Sequence, residues 1–412
     1  MAVPRNSSLS NPFAALRHKS FRLYWLGMSV SLIGTWMQNV AEPWLAYSLT
    51  GSPFLLSLTG TLQFLPMLFF SLFAGVIVDR FPKKTLLICT QTGALLVTLS
   101  LSILIWSGSV QYWHLLVAAT VLGLVNTLDM PLRQAFVIEM VGKEDLMNAI
   151  ALNSSVFNVA RVLGPAVAGV LMSTVGIAVC YTINAASFLA VIVSLLFIRP
   201  RPVARNGSMN GGMLKSIGEG LQYIRKNRLL LKTLVLVLIV GTFAMNYNVL
   251  VPVFSKAVLH QEETGYGLLM SFVGIGSFTG AMLVAAMCKN GPRQTVLNVF
   301  PLLIGTLLVL TGLTGAYPLT ALGLAATGFC FVSFTSTANT TLQLNTPDQY
   351  RGRVMSVYAW VFGGSTPIGN LFSGTVAEHA GAAPGFVACG AMILLPVGLW
   401  MLWRWRRKQA AA

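Results

Sequence analysis

Charge is the scarcest commodity in this chain. Only 9% of its 412 residues are Asp, Glu, Lys or Arg, whereas 55% are hydrophobic, and mean hydropathy is +0.73. A soluble domain of that composition would have too few polar side chains to face water. Acid is scarcer than base, with 11 Asp and Glu against 27 Lys and Arg, for a net charge of +16. Cysteine is sparse as well. Cys89, Cys180, Cys288, Cys330 and Cys389 fall in apolar segments at no repeating spacing, which excludes a disulfide framework and a cysteine metal motif. No HExxH, GxSxG or Walker element stands in a suitable context, so the sequence speaks against an enzyme, and neither a metal nor another cofactor is expected. Residues 1–20 are polar and basic, without the apolar core and cleavage site of a leader, and read as a tail.

The bases that are present sort themselves. They lie at Arg5, Arg17, Lys19 and Arg22; at Arg80, Lys83 and Lys84; at Arg133 and Lys143; from Arg199 to Lys232; at Lys289 and Arg293; at Arg351 and Arg353; and from Arg404 to Lys408. These are the tails and every second gap between long apolar runs. Only Arg161 and Lys256 break the pattern. A basic excess on alternate loops marks the cytoplasmic side of a polytopic membrane protein and places both termini there. The net charge therefore reports orientation, and nucleic acid is not an expected partner.

Crossing a hydrocarbon core of ~30 Å takes ~20 apolar residues. Runs of that length begin near Phe21, Phe54, Thr85, Trp113, Leu146 and Ile177, then near Leu231, Thr264, Thr295, Leu319, Val354 and Gly385, which makes twelve spans. The expected organisation is a cytoplasmic tail over 1–20, a six-helix bundle over 21–198, a cytoplasmic linker over 199–230, a second six-helix bundle over 231–406, and a tail over 407–412. Within the linker, Met213, Leu214, Ile217, Leu221 and Ile224 recur at helical spacing among basic residues, as in an amphipathic helix on the cytoplasmic leaflet. A shift of 205 residues lays Gly75 on Gly280, Gly123 on Gly328, Gly164 on Gly369, Gly169 on Gly374 and Gly176 on Gly381, so the halves read as repeats.

At the end of the second span stand Gly75, then Asp79 and Arg80, then Pro82 and the basic pair Lys83 and Lys84. This resembles the signature loop of the major facilitator superfamily, with Pro82 in place of the usual Gly. Gly permits close helix approach, Asp79 can sit against a helix N-terminus or a base, and the bases meet anionic head groups. The second half keeps Gly280, Lys289 and Arg293 but has Val284 where the Asp would fall. On the fifth span, Gly164, Pro165 and Gly169 resemble the Gly-Pro-x-x-Gly-Gly packing element of the superfamily's exporters, with Ala168 for one Gly. The stretches Asn11 to Arg17, Leu49 to Pro53, Asp129 to Gln134, Asn148 to Asn153 and Arg351 to Ser356 are similar to the transmembrane secretion effector branch, which includes enterobactin exporters and macrolide efflux pumps. The resemblance runs from Pro12 to Gly381.

That resemblance implies an all-α polytopic membrane protein of the major facilitator fold, with twelve transmembrane helices in two six-helix bundles, in the bacterial inner membrane. It implies export of bulky amphipathic molecules driven by the proton gradient, with the substrate between the halves near mid-membrane. A small amphipathic substrate, protons and membrane lipids are the expected partners of a monomer. The rival of the same fold is a lipid or lysophospholipid translocator. One family feature is missing: Ala118, Ala119 and Thr120 precede Gly123 on span 4, where many proton-coupled relatives carry an Arg.

Ionisable groups inside the bilayer are expensive and mark candidate sites. Glu42, on span 1, is the carboxylate away from the cytoplasmic end and the first candidate for proton coupling. Asp129 and Arg161 are the others, and Asp129 and Glu42 are the expected partners of Arg161. Asp129 and Arg133, four apart on span 4, with Glu139 below them, are expected to join Asp79 and Arg80 in a cytoplasmic latch with Gly75, Lys83 and Lys84. Gln38, Asn126, Asn246, Asn248, Ser336 and Asn339, with Phe243 and Phe331, fall on spans that line the cavity in this superfamily and are candidates for substrate contact.

Overall fold

The computed structural model describes residues 13–142, 144–198, 213–287 and 292–409; a few side chains in these ranges, those of Asp79 and Asp348 among them, lie outside the description. After a short turn at Ala14–Arg17, the first half comprises α1 (Lys19–Thr50), α2 (Pro53–Arg80), α3 (Lys83–Trp106), α4 (Tyr112–Val141), α5 (Leu146–Thr174) and α6 (Ala178–Phe197). The linker helix α7 (Met213–Lys226) follows. The second half comprises α8 (Arg228–Ala244), α9 (Tyr247–Ala257), α10 (Glu263–Met287), α11 (Gln294–Leu313), α12 (Tyr317–Leu344), α13 (Asp348–Gly364), α14 (Thr366–Ala380) and α15 (Ala382–Gln409). Among the described residues, ten segments are long and apolar enough to span a membrane, with α8 and α9 together forming one of them. The more polar α1 and the broken pair α13–α14 complete the twelve crossings read from the sequence.

Successive crossings alternate in direction, so the bundle has two ends. The basic end carries the starts of α1, α3 and α5, the ends of α2 and α4, and the linker helix. The distal end carries the tight turns. Gly51 ends α1 at φ 63°, a conformation open to glycine, and Ser52 caps α2 by accepting from the Leu55 amide at 3.2 Å, with Pro53 at the first turn.

Two crossings are broken at equivalent places. The interruption of α13–α14 falls at Ser365, just before Pro367, whose ring cannot continue the backbone ladder. The interruption between α8 and α9 falls at Met245 and Asn246. There the Asn246 amide donates to the Thr242 carbonyl at 3.1 Å, satisfying a group that the break would strand in hydrocarbon.

The repeat read from glycine spacing is visible in the packing. A Cβ on Gly164 of α5 would meet α1 at the Met37 amide and the Trp36 side chain; on Gly369 of α14 it would meet α8 at the Thr242 carbonyl. Met37 and Thr242 are themselves 205 residues apart. Lipid offers apolar side chains no preference for each other over acyl chains, so such crossings are held by close backbone approach.

The linker helix departs from expectation. α7 is helical, as its periodicity predicts, but it docks on α13 of the second bundle. Glu219 pairs with Arg353, Tyr223 stacks on Tyr350 at 4.6 Å, and Ile224 is buried with Leu230, Leu342, Val354 and Val357. Leu221, expected on the apolar face, is exposed. Spacing identified the helix, but the aromatic and charged partners on α13 decide which face is covered.

The α10–α12 crossing is as tight as that of α14 on α8: a Cβ on Gly276 would lie 1.8 Å from the Ala325 carbonyl oxygen. Gly276→Val should force these helices apart and cost at least ~1–3 kcal/mol. The expected outcome is a melting temperature several degrees lower in detergent, whereas Gly398→Val, with nothing within 4 Å, should melt like the parent protein.

Candidate functional site

The two bundles are sealed together at the distal end. Trp44 of α1 stacks on Tyr266 of α10 at 5.2 Å and donates its indole N–H to Glu263 at 3.0 Å. The Lys256 ammonium of α9 lies 5.7 Å from the Trp44 ring and 5.8 Å from that of Tyr47. Glu378 of α14 caps the start of α2, accepting from the Ser52 hydroxyl at 2.7 Å and the Phe54 amide at 3.0 Å. That carboxylate fills the anion site which the free amides of a helix N-terminus create. Below it, Gly374 rests on Ser57 and Gly169 rests on Gly267. The seal continues to mid-depth, where the Trp360 indole N–H donates to the Leu68 carbonyl and Gly274 rests on the backbone of Arg161.

The Gly-Pro element on α5 is thus split between two tasks. Gly164 packs inside the first bundle on α1, and Gly169, little more than one turn on, packs across the bundle interface on α10. The bundles touch through backbone at that point, and a larger residue at either position would displace one contact or the other.

Arg161 stands 15 residues into α5, ~22 Å from its start at 1.5 Å per residue. The pairing with Asp129 or Glu42 expected from sequence does not form. Its guanidinium lies over the Trp36 ring, 5.7 Å from the centroid, and partly exposed. Beside it a narrow crevice opens into the second bundle, lined by Tyr247, Thr327, Phe331 and Leu324 among others. Toward the basic end, Asn158 and Ser154 continue the Arg161 face of α5 as a polar stripe at spacings of three and four. Neither was singled out from sequence, although that spacing was there to be read.

Glu42 is buried, but away from the bundle interface. It hydrogen-bonds Gln38 one turn back, and the Gln38 carbonyl oxygen accepts from Asn184 of α6 at 2.6 Å and from Thr98 of α3 at 3.3 Å. Tyr181 of α6, whose buried hydroxyl has no hydrogen-bond partner, is close enough to feel the Glu42 charge. The cavity role expected of Gln38 is therefore corrected: its amide joins three helices inside the first bundle.

Charges also cluster at the basic end. Asp129 is buried against α3, accepting from Thr90 and Gln91, each at 2.8 Å, and pairs with Arg133. Arg133 reaches Met28 of α1. Glu139 pairs with Lys83. Lys84 donates to the Leu196 and Ile198 carbonyls at 3.2 and 2.9 Å, capping the end of α6. Arg80 is exposed; Gly75 and the Asp79 side chain lie outside the described residues.

In the second bundle, Phe331 lines the crevice beside Arg161 and faces Phe362 at 6.3 Å. Asn246 is corrected from cavity to structure: it is buried, and its amide also reaches the Cys389 sulfur on α15 at 3.4 Å. Asn184, the partner of Gln38, and Cys389 are 205 residues apart, although the position that matches Gln38 itself is Phe243. Asn339 accepts from Gln343 one turn on and hydrogen-bonds Tyr358. Phe243, half-buried, meets Phe372 edge-on at 5.2 Å. Asn248 and Ser336 are half-buried, and Asn126 is exposed on α4. Among the described residues no group of three or more His, Cys, Asp or Glu could hold a metal ion.

Comparison with known proteins adds the following. The family model described as transmembrane secretion effector matches residues 10–412. An uncharacterised MFS-type transporter of Bacillus subtilis (strain 168), YfiS, is 27% identical, with 90% of this chain and 89% of the relative covered. The staphyloferrin A transporter of Staphylococcus aureus is 24% identical over 87% of this chain and 89% of its own. The multidrug efflux pump Tap of Mycolicibacterium fortuitum is 25% identical over 88% and 90%. A solved bacterial homolog of the human lysosomal transporter Spinster shares the fold, with a TM-score of 0.74 at 13% identity, covering 94% of this chain and 96% of that one.

The Glu378 clasp can be tested at the distal seal. Ser57 is fully buried beneath it, against Gly374. Glu378→Ala should leave the start of α2 uncapped and raise the population of molecules open at this end. A membrane-impermeant maleimide should then label Ser57→Cys several times faster in the Glu378→Ala background than in the parent. Equal labelling rates would remove the clasp from the seal.

Proposed function

The chain belongs to the transmembrane secretion effector family of the major facilitator superfamily and is a multi-span membrane transporter of a small-molecule substrate; from that premise we propose that it exports bulky amphipathic molecules, of siderophore or drug type, across the bacterial inner membrane in exchange for protons. The observation that carries this reading is the one-sided seal between the bundles. Trp44, Glu263, Ser52 and Glu378 close the distal end, while the exposed Ser154 and half-buried Asn158 continue the Arg161 face of α5 toward the basic end. The positive-inside rule turns the basic end to the cytoplasm, so this is the state in which an exporter loads. The two relatives that carry substrate names, a siderophore transporter and a multidrug pump, support the class.

On this reading residues 1–20, the linker over 199–230 and the tail over 407–412 are cytoplasmic, and the bundles over 21–198 and 231–406 rock about the glycine contacts between α5 and α10 and between α2 and α14. Rocking exposes the substrate site to each side in turn. Glu42 is the proton carrier. Asp129 is tied to a guanidinium and two neutral donors. Glu42 has one neutral amide and an unsatisfied phenol beside it, so it can exchange a proton without breaking an ion pair. Protonation reverses the polarity of one hydrogen bond to Gln38, and through Gln38 reaches α3 and α6.

Inverted vesicles should accumulate ethidium or a siderophore uphill in response to an imposed proton gradient and stop when a protonophore is added. Glu42→Gln should abolish uphill accumulation and leave downhill exchange intact; unchanged uphill transport would remove Glu42 from the coupling. Orientation has its own readout. Ser208→Cys, in the linker, should react with an impermeant thiol reagent only from the cytoplasmic side, and Ser109→Cys only from outside. The reverse pattern would sink the assignment of export direction.

A further inference from the structure

Arg161 is a permanent cation at mid-depth for which the described protein supplies no countercharge. The chain has only 11 acidic residues, and each has a place elsewhere. Glu42, Asp129, Glu139, Glu263 and Glu378 are engaged as described above. Asp145 pairs with His18, and Glu219 with Arg353. Glu144 and Glu262 sit in turns at opposite ends of the bundle, and Asp79 and Asp348 belong to the basic ends of α2 and α13. A helix rises 1.5 Å per residue, so every one of these last four is many ångströms from the level of Arg161.

We propose that the interface between the bundles contains an anion-recognition site centred on Arg161, whose ligand is an amphipathic molecule carrying a carboxylate or phosphate-type group, with the countercharge arriving on the substrate. This rests on the transporter reading above and names the substrate class it leaves open. The guanidinium carbon lies 5.7 Å from the Trp36 ring centroid, with Phe157 edge-on to the same ring at 5.6 Å. A cation–π contact does not use up the five N–H donors, and a guanidinium binds a carboxylate or phosphate through two parallel ones. The crevice beside it, of about 10 Å³, is apolar apart from Thr327 and Tyr247; it has room for about one water in this state, and the bundles must part there to admit the greasy body of such a ligand. The site also lies on the moving joint. Gly274 of the second bundle rests on the Arg161 backbone, with a Cβ there only 2.5 Å from the carbonyl oxygen, so an anion bridging Arg161 and Tyr247 would touch both bundles at their contact.

The protein in nanodiscs of zwitterionic phosphatidylcholine, with dansyl-undecanoic acid and its methyl ester as fluorescent probes, tests this directly. The acid should bind at least ~tenfold more tightly than the ester, about the effect of one good charge-assisted contact. Arg161→Gln should erase that preference while still binding the ester, which also shows that the variant is folded. Arg161→Lys should keep part of the preference. Equal affinity for acid and ester in the parent, or a preference that survives Arg161→Gln, would overturn the site, as would loss of the preference at physiological chloride. Two sources could present such a group. Displacement of the acid by lysophosphatidylglycerol would identify a lipid head group, and displacement by a soluble polycarboxylate alone would identify an aqueous substrate. If the acid preference holds but inverted vesicles accumulate neither probe, the exporter reading fails and the anion site stands.

Discussion

In hydrocarbon an apolar side chain gains nothing by leaving lipid for another helix, so this architecture depends on how closely backbones can approach. Glycine decides that here. Gly164 and Gly369 bring α5 and α14 onto α1 and α8 inside their bundles, and Gly169 and Gly374 bring the same two helices onto α10 and α2 of the opposite bundle. The two crossings that join the halves are thus made by helices that glycine also pins within them. A rigid-body rock about these contacts can move the bundle ends without unpacking either interior. The polar groups around the joint have little freedom of their own, because the backbone positions that carry them are set by contacts with no spare volume.

The internal repeat is closer in backbone than in chemistry. Asn184 and Cys389 match across the halves, and each meets an amide of the first crossing of its own bundle, Gln38 in one half and Asn246, three residues past the matching position, in the other. Charge has been kept on one side only. Asp129 and Arg133 are buried together in the first bundle, and the positions that match them in the second are Phe334 and Ala338, both buried apolar residues. The first bundle therefore holds the titratable groups and the second offers an aromatic wall, with Arg161 facing that wall across the bundle interface.

The fold was largely legible in the sequence because it follows from one-dimensional signals: run length and glycines at a fixed shift. The site was less so, for a physical reason. Periodicity says that Gln38 and Glu42 share a helix face but not which neighbour that face meets, and α3 and α6 claim it instead of the bundle interface. Asn246 looked like a cavity residue and turns out to repair a helix break. Arg161 was expected to find a carboxylate; it found a tryptophan, a partner whose attraction for cations carries no formal charge to count. The Ser154–Asn158 stripe was accessible to the same periodicity rule that identified α7, but lay in a span whose glycines drew the attention.

The docking of α7 on α13 alters how the halves are tethered. Without it, the second bundle would be held through the whole stretch from Ile198 to Arg228. With α7 fixed to that bundle, the tether ends at Met213, and 15 residues drawn out straight reach only ~50 Å. That ceiling acts as a leash in a two-dimensional fluid. When the distal seal parts during the cycle, the halves remain at an effective local concentration of order millimolar, whatever the expression level. Reassembly is then a property of each molecule alone, and the weak, reversible contacts that a moving joint requires can coexist with a complex that does not come apart.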